Sequence, residues 1–309
     1  MTTRVFRKNG WIGASLGLFA IARLSSPLAA TVPFVADIPL RMIGGFPCID
    51  VGLPDGRPLT VAVDTGNVTS IVNTAALAGE KVPLTPLPGT SGAFKAELPD
   101  LAIGSVTFSG CKAYAFKFSP HSLPTGIAGC LAYPVFKDRV IQLDFPGKRF
   151  RLSERLHAPQ PAAPHSAEIE LITFGKSGPP IVVAHGFAIG GKPIRAQLDS
   201  LYAGPILIYT LAIDPLGLTA LSQTTHVETF PYTDGGVGMK PAPSPLVTFN
   251  DQPLSRPGTE VYFPTPGVHE PDGLFEGTIG TPLFAHSVLT IDFFDQTLTV
   301  SAPDDNRPG

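Results

Sequence analysis

The chain has 309 residues, of which 15% are charged, and a net charge of −3 at pH 7. That length suggests about two domains, and the charge balance excludes the basic stripe that nucleic-acid binding requires. Proline (34) and glycine (32) are abundant but scattered between apolar runs, which is the pattern of a β-rich protein with many turns rather than of low complexity.

The first 30 residues read as a secretory signal. Arg4, Arg7 and Lys8 precede the apolar run Trp11 to Ala22, which is too short to cross a bilayer. Small residues from Ser25 to Ala30 follow, so cleavage is expected after Ala29 or Ala30, giving a secreted or periplasmic protein. An uncleaved N-terminal anchor is the alternative reading, since Arg23 lies unusually close to the apolar run. No later segment has the roughly 18 uninterrupted apolar residues of a spanning helix, so no membrane span is expected after signal cleavage.

Residues 31–157 form the first expected lobe. Phe46 to Val51 and Leu59 to Val63 flank Asp55-Gly56, a hairpin signal. The second arm runs into Asp64-Thr65-Gly66, and another apolar run, Val68 to Val72, leaves that turn. Asn73 to Lys81 is weakly helical, and Pro88-Gly89-Thr90-Ser91-Gly92 is a glycine-containing turn. Strands are expected over Leu101 to Phe108, Lys112 to Phe118, and Val140 to Leu152, the last a hairpin around Pro146-Gly147. Gly126-Ile127-Ala128-Gly129 lies between the last two.

Residues 158–167 are rich in proline and alanine and read as a semi-rigid linker. The order of elements then repeats over residues 168–303, before a short tail, 304–309. A hairpin around Gly190-Gly191 delivers Asp199-Ser200-Leu201, and Pro205 to Tyr209 follows as Val68 to Val72 did. Thr233-Asp234-Gly235-Gly236-Val237-Gly238 is a second glycine cluster, and Gly277-Thr278-Ile279-Gly280 corresponds to Gly126 to Gly129. The hairpin from Val288 to Val300 mirrors that from Val140 to Leu152. An internal repeat of this size implies two copies of one β lobe, with Asp144 and Asp292 as structural residues of matching hairpins. Cys48, Cys111 and Cys130 are odd in number and sit in apolar stretches, where they read as small buried hydrophobes. No spacing of Cys or His suggests a metal site.

The strand–Asp-Thr-Gly–strand pattern at 61–72, its second copy at Asp199, and the glycine elements together resemble the pepsin and retropepsin families of aspartic proteases. That resemblance implies an all-β fold of two pepsin/retropepsin-like β-barrel lobes with a cleft between them. It implies a catalytic pair, Asp64 and Asp199, supported by Thr65, Gly66 and Ser200, with the Thr65 and Ser200 hydroxyls cross-bracing the two loops. Flaps would carry Thr90, Ser91 and Gly92 on one side and Gly235 and Gly236 on the other. The substrate would be a polypeptide, no cofactor or metal would be needed, and two lobes in one chain would make a monomer sufficient. Two carboxyls sharing a site hold one proton between them, the ionised one acting as base and the protonated one as acid.

The departure is Leu201, where the family pattern has glycine, and a Cβ is costly there if φ is positive. Leu201 favours the alternative of a catalytically impaired, peptide-binding relative in the cell envelope. A purely structural two-domain envelope protein is a third reading, and it requires no continuous cleft.

Overall fold

The computed structural model describes residues 34–118, 123–154, 165–173, 180–232, 235–268, 270–271 and 273–301. The expected signal segment, the 304–309 tail, Thr233 and Asp234, and linker residues 158–164 lie outside this set. The first half contains β1 (Phe34–Pro39), β2 (Arg41–Ile43), β3 (Phe46–Gly52), β4 (Pro58–Asp64), β5 (Ser70–Asn73), β6 (Leu84–Pro86), β7 (Ala93–Glu97), β8 (Leu101–Ile103), β9 (Val106–Phe108), β10 (Lys112–Phe116), β11 (Gly129–Ala132), β12 (Val140–Asp144) and β13 (Arg149–Ser153). The second half contains β14 (Ser166–Thr173), β15 (Pro180–Ile189), β16 (Lys192–Asp199), β17 (Ile206–Ile208), β18 (Glu228–Tyr232), β19 (Gly235–Pro243), β20 (Val247–Phe249), β21 (Gln252–Pro253), β22 (Glu260–Pro264), β23 (Gly277–Gly280), β24 (Val288–Asp292) and β25 (Thr297–Ser301). Helices among the described residues are short, the longest being Thr210–Leu216.

The two halves are wired identically. One sheet runs β6-β7-β10-β5-β11-β4-β3-β8-β9, and the other contains β18-β19-β22-β17-β23-β16-β15-β20-β21. Each strand of the second order lies twelve strands later in the chain than its counterpart in the first. The fold is therefore all-β and two-lobed, as the repeat implied.

β12 and β24 pair antiparallel and join the lobes in the order β1-β13-β12-β24-β25-β14. Gln142 lies opposite Thr290, its own counterpart, and donates to its hydroxyl at 3.0 Å; the pseudo-twofold axis passes here. Asp144 accepts the Gly147 amide at 2.8 Å, and Asp292 accepts the Phe294 and Asp295 amides at 2.9 Å. Lys148 and Gln296 share a left-handed φ of 52°. Both aspartates thus close hairpin turns of one design.

Several sequence readings shift. Leu101 to Phe108 is two strands separated by a turn, not one. Ser166 and Ala167, placed in the linker, already belong to β14, where they pair with β25. Asn73 to Lys81 holds only a 3-10 turn, Thr74–Leu77, capped by the Asn73 side chain. The counterpart of Gly277 to Gly280 is not Gly126 to Gly129 but Gly129 to Ala132. Ala132 pairs with Asp64 as Gly280 pairs with Asp199, so the earlier match was three positions out. Glycine spacing misled because the first lobe has alanine at the last of these positions.

Gly129 and Gly277 explain themselves by contact. A Cβ at Gly129 would overlap the Ile71 carbonyl oxygen, and one at Gly277 the Leu207 carbonyl oxygen. These are equivalent backbone atoms of β5 and β17, fixed by sheet pairing, so neither can retreat. Gly277→Ala is expected to cost more than about 2 kcal/mol, as overpacking against fixed atoms does. Gly52→Ala, whose Cβ would meet the Ala102 methyl at 3.4 Å and the Ala102 carbonyl oxygen at 3.9 Å, serves as the mild control. Urea midpoints of the two variants make the comparison.

Candidate active site

β4 ends in the buried run Val61-Ala62-Val63-Asp64, and β16 in Ala196-Gln197-Leu198-Asp199. Each strand delivers its aspartate where the chain turns away. The turns meet across the pseudo-twofold axis.

Four hydrogen bonds lock them. Thr65 Oγ1 donates to the Leu198 carbonyl at 2.8 Å and accepts the Ser200 amide at 3.0 Å. Ser200 Oγ donates to the Val63 carbonyl at 2.5 Å and accepts the Thr65 amide at 2.9 Å. Thr65 and Ser200 are 1% and 2% exposed, so these bonds operate without water. Gln197 Nε2 adds a donation to the Gly66 carbonyl at 2.7 Å.

Each loop also cradles its own carboxylate. Asp64 Oδ1 accepts the Gly66 amide at 3.1 Å and the Asn67 amide at 2.9 Å. Asp199 Oδ1 accepts the Leu201 amide at 2.8 Å, and the Tyr202 amide donates to the Asp199 backbone carbonyl at 3.1 Å. The position after Thr65 needs glycine for space, because a Cβ there would collide with Cβ and Cγ of Asp199. Leu201 is not among the residues with positive φ, so the strain allowed for at this position is absent and its amide does what that of Gly66 does.

Burial raises both carboxyls above the ordinary carboxylate range. For Asp64 burial dominates and is opposed by hydrogen bonds from the Cys130 thiol, the Asn67 and Gly66 amides and the Asn67 side chain. For Asp199 burial dominates again, the charge of Asp64 adds to it, and only backbone amides oppose it. The two groups titrate as a pair, and side-chain donors favour the charged form at Asp64 but not at Asp199.

Cys130 and Asn67 were missed in the sequence. Cys130 follows Gly129 in β11 and pairs with Ala62, two residues before Asp64. Its counterpart Thr278 instead bonds the Tyr209 hydroxyl at 2.8 Å. Nothing in the local sequence distinguishes a thiol facing a carboxyl from one filling a core. Cys48, Cys111 and Cys130 are all free thiols; Cys111 is only half-buried.

The remaining predicted residues are placed as follows. Thr90, Ser91 and Gly92 form the exposed tip of the β6–β7 hairpin, closed by the Leu87 amide on the Ala93 carbonyl at 3.0 Å. Gly235 and Gly236 begin β19 and pair with Tyr232 and Pro231 of β18. Behind Asp199, Tyr202 stacks near Phe230, with ring centroids 5.8 Å apart, and Phe230 meets Tyr262 edge-on at 4.8 Å. The Tyr209 hydroxyl is held by Thr278, and its ring packs on Phe275, a core role. A groove of about 910 Å³ on the second lobe contains none of the predicted site residues. Among its charged side chains Arg195 is paired with Glu276 at 3.6 Å.

Cys130→Ala is expected to remove one of the bonds that favour ionised Asp64. The lower-pH limb of any activity that depends on Asp64 should then move to higher pH, and Cys130→Ser, which keeps a donor, should move it back. A pH–rate profile of the two variants checks this.

No family model matches the sequence, and no curated protein matches it. Solved structures do match in fold. An aspartic proteinase from Irpex lacteus superposes with a TM-score of 0.52 at 11% identity, covering 87% of this chain and 97% of its own. The protein edgp superposes with a TM-score of 0.51 at 10% identity, covering 86% and 94%. The chain therefore has the pepsin-like fold.

Proposed function

We propose that the chain is an aspartic-type endopeptidase in which Asp64 and Asp199 form the catalytic pair. The observation that carries this reading is the cross-braced meeting of two aspartate loops whose carboxyls are both raised and coupled. In the singly protonated pair Asp64 is the carboxylate. It takes a proton from a water held between the two groups as that water attacks the peptide carbonyl. Asp199 gives its proton to the carbonyl oxygen; as the C–N bond then breaks, the proton held on Asp64 passes to the departing amine nitrogen and one hydroxyl of the intermediate returns a proton to Asp199. The locked loops contribute geometry prepared in advance, so little reorganisation is needed during the reaction. The Thr90–Gly92 hairpin tip is assigned to cover an extended polypeptide, with Gly235 and Gly236 opposite. Secretion, with removal of residues 1–30, belongs to the same reading.

The test is hydrolysis of a denatured polypeptide across pH. Raised carboxyls extend the singly protonated state upward, so activity is expected to persist above about pH 4, the ordinary carboxylate value, and to fall once the second proton leaves. Leu201 favours the second reading, a cleft that binds peptides without cleaving them. Binding with no hydrolysis at any pH would establish that reading instead.

A further inference from the structure

Besides the main core, each lobe carries a small apolar patch, and the two are counterparts. In the first lobe Ala62 lies between Cys48 and Cys130 in neighbouring strands. In the second, Gln197 lies between Val183 and Thr278. Each patch receives the loop of the opposite lobe: Val68 rests on the second-lobe patch, and Leu201 with Ala203 on the first-lobe patch.

The patches differ in kind. The second is built from large side chains, including Tyr209, Tyr262 and Phe275, with Tyr202 and Phe230 against it. The first combines small side chains, Ala62, Cys48 and Cys130, with Phe46 and Ile127, and Leu201 lies half-buried on it. Gly66, the counterpart of Leu201, places no side chain on the other wall. Leu201 therefore adds a large side chain on the patch that contains Ala62, two residues before Asp64 in β4 and so on the same face of that strand, and the small Ala62, Cys48 and Cys130 side chains leave room for it.

We propose that Leu201 is a specificity-determining residue that fills the subsite beside Asp64. It restricts that subsite to a substrate residue with a small side chain, glycine, alanine or serine. The large apolar side chain of the substrate is left to the aromatic wall beside Asp199. This inference rests on the peptidase reading above.

The experiment compares wild type, Leu201→Ala and Leu201→Gly on a mixed peptide library, with cleavage sites read by mass spectrometry. Wild type is expected to select a small residue at one position flanking the scissile bond. Leu201→Gly is expected to admit leucine and phenylalanine there, raising kcat/KM for such peptides at least tenfold, the scale of discrimination by pocket size. Leu201→Ala should fall between, and melting temperatures of both variants verify folding. An unchanged residue profile in both folded variants, or loss of cleavage in both, overturns the proposal. Cleavage by Leu201→Gly alone supports the plug while overturning peptidase activity for the native chain. If no form cleaves, calorimetry with two uncleavable hydroxyethylene peptides decides, one carrying alanine and one leucine at that position. Preference for the alanine peptide in wild type that disappears in Leu201→Gly supports the plug, and equal behaviour overturns it.

Discussion

Asp199→Asn is expected to abolish peptide hydrolysis, by at least roughly 10³-fold given what general acid–base groups contribute, and yet to stabilise the fold at neutral pH. The two effects share one cause. In the folded chain burial and the charge of Asp64 hold the Asp199 carboxyl above its ordinary value, while in the unfolded chain it titrates near pH 4. A carboxyl raised by folding keeps its full contribution to stability below the unfolded value and loses it as pH rises through the folded value. Asparagine has the same shape and no proton to lose. The melting temperatures of wild type and Asp199→Asn should therefore agree most closely near pH 3 and separate steadily towards pH 8, with the variant higher. For a chain of this size each kcal/mol amounts to about 2–4 °C. A variant that lost activity but melted no higher at pH 8 would mean that the Asp199 carboxyl carries no burial penalty. Asp64→Asn should lose activity comparably and gain less stability, because side-chain donors already favour its charged form.

Ser200→Ala is expected to cost about 2–5 kcal/mol of stability. Removing one hydroxyl leaves the Thr65 amide and the Val63 carbonyl unpaired at a buried site, and each unsatisfied buried group costs about 1–3 kcal/mol. Thr65→Val should cost a similar amount, through the Ser200 amide and the Leu198 carbonyl. The double variant should lose less than the sum of the two, since the four bonds form one cross-brace and neighbours in a network are not additive. Denaturant unfolding of the three variants measures this. Fully additive losses would show that the loops are held independently. Activity should fall with the cross-brace, because the positions of both carboxyls depend on it.

Much of the arrangement is legible in the chain. Apolar runs ending in Asp64-Thr65-Gly66 and Asp199-Ser200-Leu201 announce paired strand-to-turn elements, and the repeated order of hairpins announces two lobes. Where reading along the chain failed, it failed on register. Matching glycine to glycine placed Gly126 opposite Gly277, whereas strand pairing makes Gly129 the counterpart. Leu201 looked like a source of backbone strain, and yet its backbone is ordinary. The glycine at the matching position of the first loop is required by the Asp199 side chain beside it, not by its own dihedral angles.

The sequence by itself determined the β-rich class, the duplication, and which two aspartates occupy equivalent turns, because these depend on local hydrophobic period and turn chemistry. Only the tertiary structure decided what surrounds them. That Cys130 comes close enough to Asp64 to favour its charged form, and that Leu201 rests on a patch containing Cys48, Ala62 and Cys130, are facts about residues distant in the chain. They follow from which strands become neighbours, and long-range pairing leaves no mark on the local pattern of residues.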